Sequence, residues 1–223
     1  MATLEELQSI ELPAGGIVRL SNIPWDLYAT LRNEPANRNV RMTFARGFLE
    51  MMSPSHRHER VAYLLGRLID AWTEERGLAV QAGRTTTFQR KDLERGLEPD
   101  NCYYIQHISQ VRDRDELDLS IDPPPDLVVE VDVRSTSLVR LPSYAAMGVP
   151  EVWHWRNEQI QVYRLAGDVY QPMDVSQTLV GFPIGAAADL LRERLASDDN
   201  ALVRKFRNLI STKPAGGVGQ GSK

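Results

Sequence analysis

The chain of 223 residues has a single cysteine, Cys102. That excludes an intrachain disulfide and any zinc cluster of the Cys-x-x-Cys kind. Lysine is scarce: Lys91, Lys205, Lys213 and Lys223 are the only four, so the basic charge is carried by arginine. Arginine forks suit phosphate and surface carboxylates alike. Long hydrophobic runs are missing. No segment approaches a membrane span, and the N-terminus, Met1-Ala2-Thr3-Leu4-Glu5-Glu6-Leu7, lacks a charged-then-apolar signal pattern. A soluble, reducing, cytoplasmic setting is the expectation. There is no strong excess of one charge either. A formal net charge of −4 excludes coating nucleic acid through a global basic field, while leaving room for a local positive groove. The Gly-x-Ser-x-Gly elbow, the phosphate loop and the dinucleotide fingerprint are all missing.

What is there is concentrated in residues 125–133, Pro-Asp-Leu-Val-Val-Glu-Val-Asp-Val. The run has the composition of a buried β-strand. Side chains alternate faces along a strand, so Leu127, Val129, Val131 and Val133 share one face and Asp126, Val128, Glu130 and Asp132 the other. Three carboxylates on one side of an apolar strand are costly unless a cation or donor compensates them. Two remedies remain open from the strand alone. One is a divalent metal, since hard cations prefer carboxylate oxygens; the other is an edge strand with a wet acidic face.

The rest of the chain predicts a mixed fold. Residues 23–35 pattern as a short helix ended by Pro35. Residues 40–53 read as two strands joined at Ala45-Arg46-Gly47, a hairpin signal. Ser53-Pro54-Ser55 offers cap chemistry for a helix over about 56–76, with Val61, Leu64, Leu65, Leu68 and Trp72 at helical spacing and Gly77 as its stop. Strands are expected within 78–90 and at "NCYYIQ", with a polar turn over 91–100 and an irregular stretch over 107–122. A helix over 138–147 ends at Gly148. A hairpin turns at Asn157-Glu158 and continues into "VYQPMD", and two helices close the fold. The order gives an α/β chain of α+β character: a mixed central β-sheet flanked by α-helices. One domain over 1–212 is expected, with a disordered tail over 213–223.

Three clusters could carry chemistry. Glu98-Pro99-Asp100 sits where the polar turn enters a strand. Pro and Asp are common turn formers, but two strands of one sheet can bring Asp100 and Glu130 to one ion. His56-Arg57-His58-Glu59 opens the long helix. His58 borders the core face, Glu59 is favoured there by the helix dipole, and histidines at i and i+2 diverge, which argues against zinc. Arg140 follows the acidic strand by one loop and can reach back over its acidic face; the alternative is a surface salt bridge, worth little.

The segments "RGFLEMMSPSHRHERV", "TTTFQRKDLERGLEPDNCYYIQ", "PPPDLVVEVDVRSTSL" and "LPSYAAMGVPEVW", in this order over roughly residues 40–165, resemble a restriction endonuclease domain family of the PD-(D/E)xK nuclease superfamily. The resemblance implies a restriction-endonuclease-like mixed sheet with a divalent-metal site. It makes Asp100 the aspartate of the "PD" element, Glu130 the acid of the (D/E)xK element, and Glu59 an acid from the first helix. The family's lysine falls at Arg140, and position 132, where the x-Lys pattern would place one directly, is Asp132. Lysine can lose a proton when desolvated; arginine cannot, though it can stabilise developing charge. Lys91 is the nearest substitute in sequence.

The expectation is a Mg2+- or Mn2+-dependent endonuclease acting on DNA phosphodiesters. Asp100, Glu130 and the Val131 carbonyl would hold the ion. Glu59 would orient a water or a second ion, and Arg140 would contact phosphate. Asp132, Asp126, His58 and Lys91 stand behind these. The alternative is a degenerate nuclease fold used for binding or assembly. A homodimer is expected on general grounds.

Overall fold

The computed structural model describes residues 10–132 and 140–211. The expected tail over 213–223, Val133 of the acidic strand and the first residues of the helix predicted over 138–147 lie outside the described residues.

Strand β1 (Ile17–Leu20) is followed by helix α1 (Trp25–Asn33), then by strands β2 (Arg41–Ala45) and β3 (Phe48–Met52). The β2–β3 loop is Arg46-Gly47, with φ of +46° and +83°. Two central residues at positive φ match the right-handed twist of the flanking strands. Helix α2 (His56–Glu75) is N-capped by Ser55, whose hydroxyl accepts the His58 N–H at 3.3 Å. All five apolar residues that predicted it are buried.

The next stretch holds strands β4 (Gln81–Ala82), β5 (Phe88–Arg90), β6 (Arg95–Leu97) and β7 (Asn101–Tyr104), then the short helix α3 (Ile108–Val111) and strand β8 (Leu127–Val131). After it come α4 (Arg140–Ala146), β9 (Glu151–Arg156), β10 (Gln159–Ala166), β11 (Val169–Met173), α5 (Ile184–Arg192) and α6 (Asp199–Ser211).

The strands form two sheets among the described residues. The first is antiparallel, in the order β1-β3-β2-β6-β5. The second is mixed, in the order β11-β10-β9-β8-β7-β4, and its β8–β9 pair is parallel. A parallel pair needs a long crossover, and α4 lies within it.

Alternation along β8 sorts the cores as expected. Leu127, Val129 and Val131 pack with α2, α5 and α6 on one face of the mixed sheet. Val128 packs on the other face with Tyr144 of α4, with Met147 just after that helix and with Phe88 and Leu97 of the first sheet. The mixed sheet flanked by helices is therefore present. The added antiparallel sheet, with its own core around Tyr28, Met42, Phe44 and Leu49, is a layer that the sequence pattern did not separate. The chain passes from the first sheet to the second through Glu98-Pro99-Asp100, between β6 and β7.

Candidate active site

The register of the mixed sheet places the two key acids. Strands β7 and β8 pair antiparallel as Asn101↔Val129, Cys102↔Val128 and Tyr103↔Leu127. One further step of that register sets Asp100 across from Glu130, where directly opposed Cβ atoms stand about 5 Å apart. A hydrogen bond closes the junction: the Val131 N–H donates to Asp100 Oδ2 at 2.8 Å. Both carboxylates are buried, Asp100 at 7% exposure and Glu130 at 4%.

Cations compensate them. Arg140, at the start of α4, donates to Glu130 Oε2 and, at 3.4 Å, to the carbonyl of Glu98. It is itself buried, so this is not a surface salt bridge. Tyr144 follows Arg140 by four residues, on the same helix face, and its hydroxyl donates to Glu130 Oε1. His58 of α2 brings Nε2 to 3.2 Å from Asp100 Oδ2, and its Nδ1 lies 3.4 Å from Glu59 Oε1. Glu59 is half-exposed and also faces Arg41 at 3.8 Å. Glu98 turns to the first sheet, where Arg32, at 2.8 Å, and Thr87, at 3.1 Å, hold its carboxylate.

These contacts set the protonation states. Burial pushes Glu130 up to about 7, with Arg140 opposing and the Asp100 charge adding to the rise. Burial also works against the Asp100 carboxylate, but His58, Arg140 and the Val131 N–H outweigh it and hold Asp100 below the usual carboxylate range. For His58, burial favours the neutral ring, yet Asp100 and then Glu59 raise it to about 10. The His58 imidazole beside Glu59 holds that carboxyl below its ordinary value. Burial and the neighbouring Glu130 charge raise Tyr144 well above the ordinary phenol value, so its hydroxyl stays a donor.

Asp100 Oδ1 is buried and has no hydrogen-bond partner. Buried polar atoms are rarely left so. Among the described residues no group of three or more His, Cys, Asp or Glu side chains has metal-holding geometry. Magnesium, however, is commonly bound by one or two carboxylates with waters and substrate phosphate, not by an all-protein cage. Asp100, with its open oxygen, and Glu130 across from it fit that donor set, provided Arg140 shares the Glu130 carboxylate.

Other sequence candidates fall elsewhere. Asp126 lies four residues from Glu130 along β8, roughly 13 Å away. Its Oδ2 accepts the N–H groups of Ile105, Gln106 and His107, so it anchors the loop after β7. Asp132 pairs with His154 Nε2 at 2.8 Å at the open end of β8–β9. Lys91 is a correction: it faces Asp26 at 3.1 Å on the surface, beside a cleft of about 1090 Å³ whose lining includes neither Asp100 nor Glu130. Proximity in sequence misleads there, because β5 and β6 carry Lys91 to the outer edge of the first sheet. Tyr144 was not singled out by the sequence reading; its spacing from Arg140 was the available signal.

A family model described as "Uma2: Putative restriction endonuclease" matches residues 25–188. The chain belongs to this family. The match runs from α1 into α5 and so contains all of Glu59, Asp100, Glu130 and Arg140. The mixed α/β architecture agrees with the restriction-endonuclease-like fold expected from the sequence. Among solved structures, the chain is similar to "a putative nuclease belonging to DUF820 from Anabaena variabilis ATCC 29413", at 16% identity and a TM-score of 0.49, over 82% of this chain and 99% of that one. No curated protein matches. Among the described residues, no helix is long and apolar enough to cross a membrane.

Proposed function

We propose that this member of the restriction endonuclease family hydrolyses DNA phosphodiester bonds with a divalent cation, Mg2+ or Mn2+. The supporting observation is the opposition of Asp100 and Glu130 on neighbouring strands, with Asp100 Oδ1 buried and unpartnered. Asp100, Glu130 and the Val131 carbonyl would hold the ion. A bound divalent cation supplies a water of lowered pKa and neutralises phosphate charge. The remaining work falls to side chains. Asp100 stays ionised because His58 and Arg140 hold its charge in place. Glu59, half-exposed beside His58, orients a water or a second ion at the mouth of the site. Arg140 cannot give up its proton, so it serves as a fixed charge for phosphate once Glu130 turns to the ion. The free, buried Cys102 suits the reducing cytoplasm. A homodimer is part of the proposal on general grounds; light scattering that finds only monomer would remove that part.

The test is plasmid nicking with Mg2+ or Mn2+. Cutting is expected from the native chain and is expected to be lost in Asp100→Ala and Glu130→Ala. Cutting that survives both substitutions unchanged refutes the assignment.

One observation favours a second reading, a degenerate site used for binding or assembly. Arg140 and Tyr144 occupy one Glu130 oxygen each, and the sequence resemblance sets Arg140 where the family has its lysine. Calorimetry without metal binding, together with no cleavage, would select it.

A further inference from the structure

Helix α2 carries more than Glu59 and His58 past the site. Tyr63 lies one turn beyond Glu59, and Arg67 one turn beyond Tyr63, so the three form one stripe. A cleft runs along that stripe. It is small, about 80 Å³, and its lining includes Glu59, Tyr63, Arg67, Arg84 and Asp100. Close contact between α2 and β7 shapes it: a Cβ on Gly66 would stand 2.8 Å from Asn101 Nδ2, so a larger residue there would push the Asn101 amide aside.

The chemistry of the lining is specific. Among the large hydrophobic side chains exposed on the described residues, Tyr63 is the one aromatic, at 49% exposure. The other exposed ones are Leu, Ile and Val on other elements and loops. The Arg67 guanidinium lies 5.8 Å from the Tyr63 ring centroid while donating to Asn200 at 2.8 Å, which fixes the arginine beside the ring. Arg84, across the cleft, is exposed. Its φ of +50° is left-handed backbone that a non-glycine residue adopts at a cost. Among the described residues it has no carboxylate within ion-pair distance. Asp70 also lines the cleft; burial raises its carboxyl pKa, and the charges of Arg84 and Arg67 oppose that rise.

A flat aromatic face with a fixed guanidinium, a free arginine opposite and a carboxylate of the hydrolytic pair in the same lining match one ligand chemistry: an unpaired nucleotide. The base would lie on Tyr63, and the adjoining phosphates would meet Arg67 and Arg84. Bases within a duplex have their faces covered by their neighbours and cannot use such a platform. We infer that the substrate is engaged as single-stranded DNA, with an unpaired base stacked on Tyr63 next to the scissile phosphate at Asp100. This rests on reading the Asp100–Glu130 site as one that acts on nucleic acid.

The test is equilibrium binding, in EDTA so that no strand is cut. Fluorescence anisotropy is read on a labelled single-stranded DNA 12-mer, on the same sequence as a duplex, and on the matching single-stranded RNA. The native chain is expected to bind the single-stranded DNA at least tenfold more tightly than the duplex. Tyr63→Ala should weaken single-strand binding roughly tenfold, and Tyr63→Phe should restore it, since stacking needs the ring and not the hydroxyl. Arg84→Ala should flatten the salt dependence of single-strand binding by about 0.7 in log–log slope, the value for one lost phosphate contact. Both positions are exposed, and circular dichroism checks that the variants fold. Duplex binding as tight as single-strand binding, single-strand binding indifferent to Tyr63→Ala, or RNA bound more tightly than DNA overturns the inference. The nicking assay is separate. Cutting without Tyr63-dependent binding removes this inference and leaves the hydrolytic reading, whereas Tyr63-dependent binding without cutting does the reverse.

Discussion

Glu130 and Glu151 sit in neighbouring strands of the same sheet, both buried, and they are treated in opposite ways. Glu151 Oε1 accepts from Trp153 Nε1 and the Ser176 hydroxyl, and its Oε2 accepts from the N–H groups of Gln177 and Thr178. Neutral donors wrap both of its oxygens and tie the loop after β11 onto β9, while the nearest cation, Arg164, stays 3.9 Å away. Glu130 is held by one cation and one phenol, opposite a second carboxylate whose Oδ1 has no partner. Its pKa rises to about 7. A carboxylate that serves the fold is surrounded by donors that cannot move away. One that serves chemistry is balanced by charges, and part of its surroundings is left unfilled for a ligand to complete.

That contrast can be broken by exchanging the roles. The largest expected effect is on activity: Asp100→Ala or Glu130→Gln should reduce metal-dependent nicking by at least roughly a hundredfold, while chemical denaturation finds Glu130→Gln no less stable than the native chain. Next is Glu151→Ala. It strands four donors, three of them on buried residues, at about 1–3 kcal/mol for each buried one, so a loss of more than about 3 kcal/mol is expected in urea unfolding. If Glu151→Ala were neutral and Glu130→Gln unfolded the chain, the contrast would be reversed.

Much of this arrangement was legible in the chain, for local reasons. The apolar stripe of α2, the hairpins at Arg46-Gly47 and Asn157-Glu158, and the alternation along β8 depend on neighbours within a few residues. Both residues of the second turn take positive φ. The pairing of β2 with β6 was not legible. It joins segments about 50 residues apart, and no local pattern encodes such a partner. For the same reason Glu98-Pro99-Asp100 reads as a turn in sequence but is the passage between two sheets. The convergence on Glu130 was half-visible: Arg140 was expected to reach back, whereas Tyr144 and the His58–Asp100 contact depend on how α4 and α2 pack.

Stability against pH sharpens the comparison further. His58 is raised from 6.5 to about 10. Between those values the native state holds a proton that the unfolded chain releases, so stability is full below about 6.5 and falls as pH climbs towards 10. The loss should be at most about 5 kcal/mol, visible as a falling Tm, and His58→Gln should flatten it. Glu130, raised from 4.5 to about 7, works the same way at lower pH: the native state binds more protons between 4.5 and 7, so stability declines across that window. Glu130→Gln should abolish that decline, and Glu151→Gln should leave it in place. A pH profile unchanged by either His58→Gln or Glu130→Gln would contradict the charge balance described for the site.

The smallest expected effect concerns Arg140. Arg140→Lys keeps the charge beside Glu130 but supplies a group that can lose a proton. Nicking should rise several-fold if the rest of the site is intact. No gain, with folding preserved, would mean that the arginine already does what the reaction needs.

The most direct measurement is a calorimetric titration of the native chain with Mn2+ near pH 8, above the Glu130 transition, repeated on Asp100→Ala and on Glu130→Gln. The account predicts binding of manganese by the native chain that disappears in both variants. Binding that persists in both, or a native chain that takes up no manganese, would contradict a metal site built by these two facing acids.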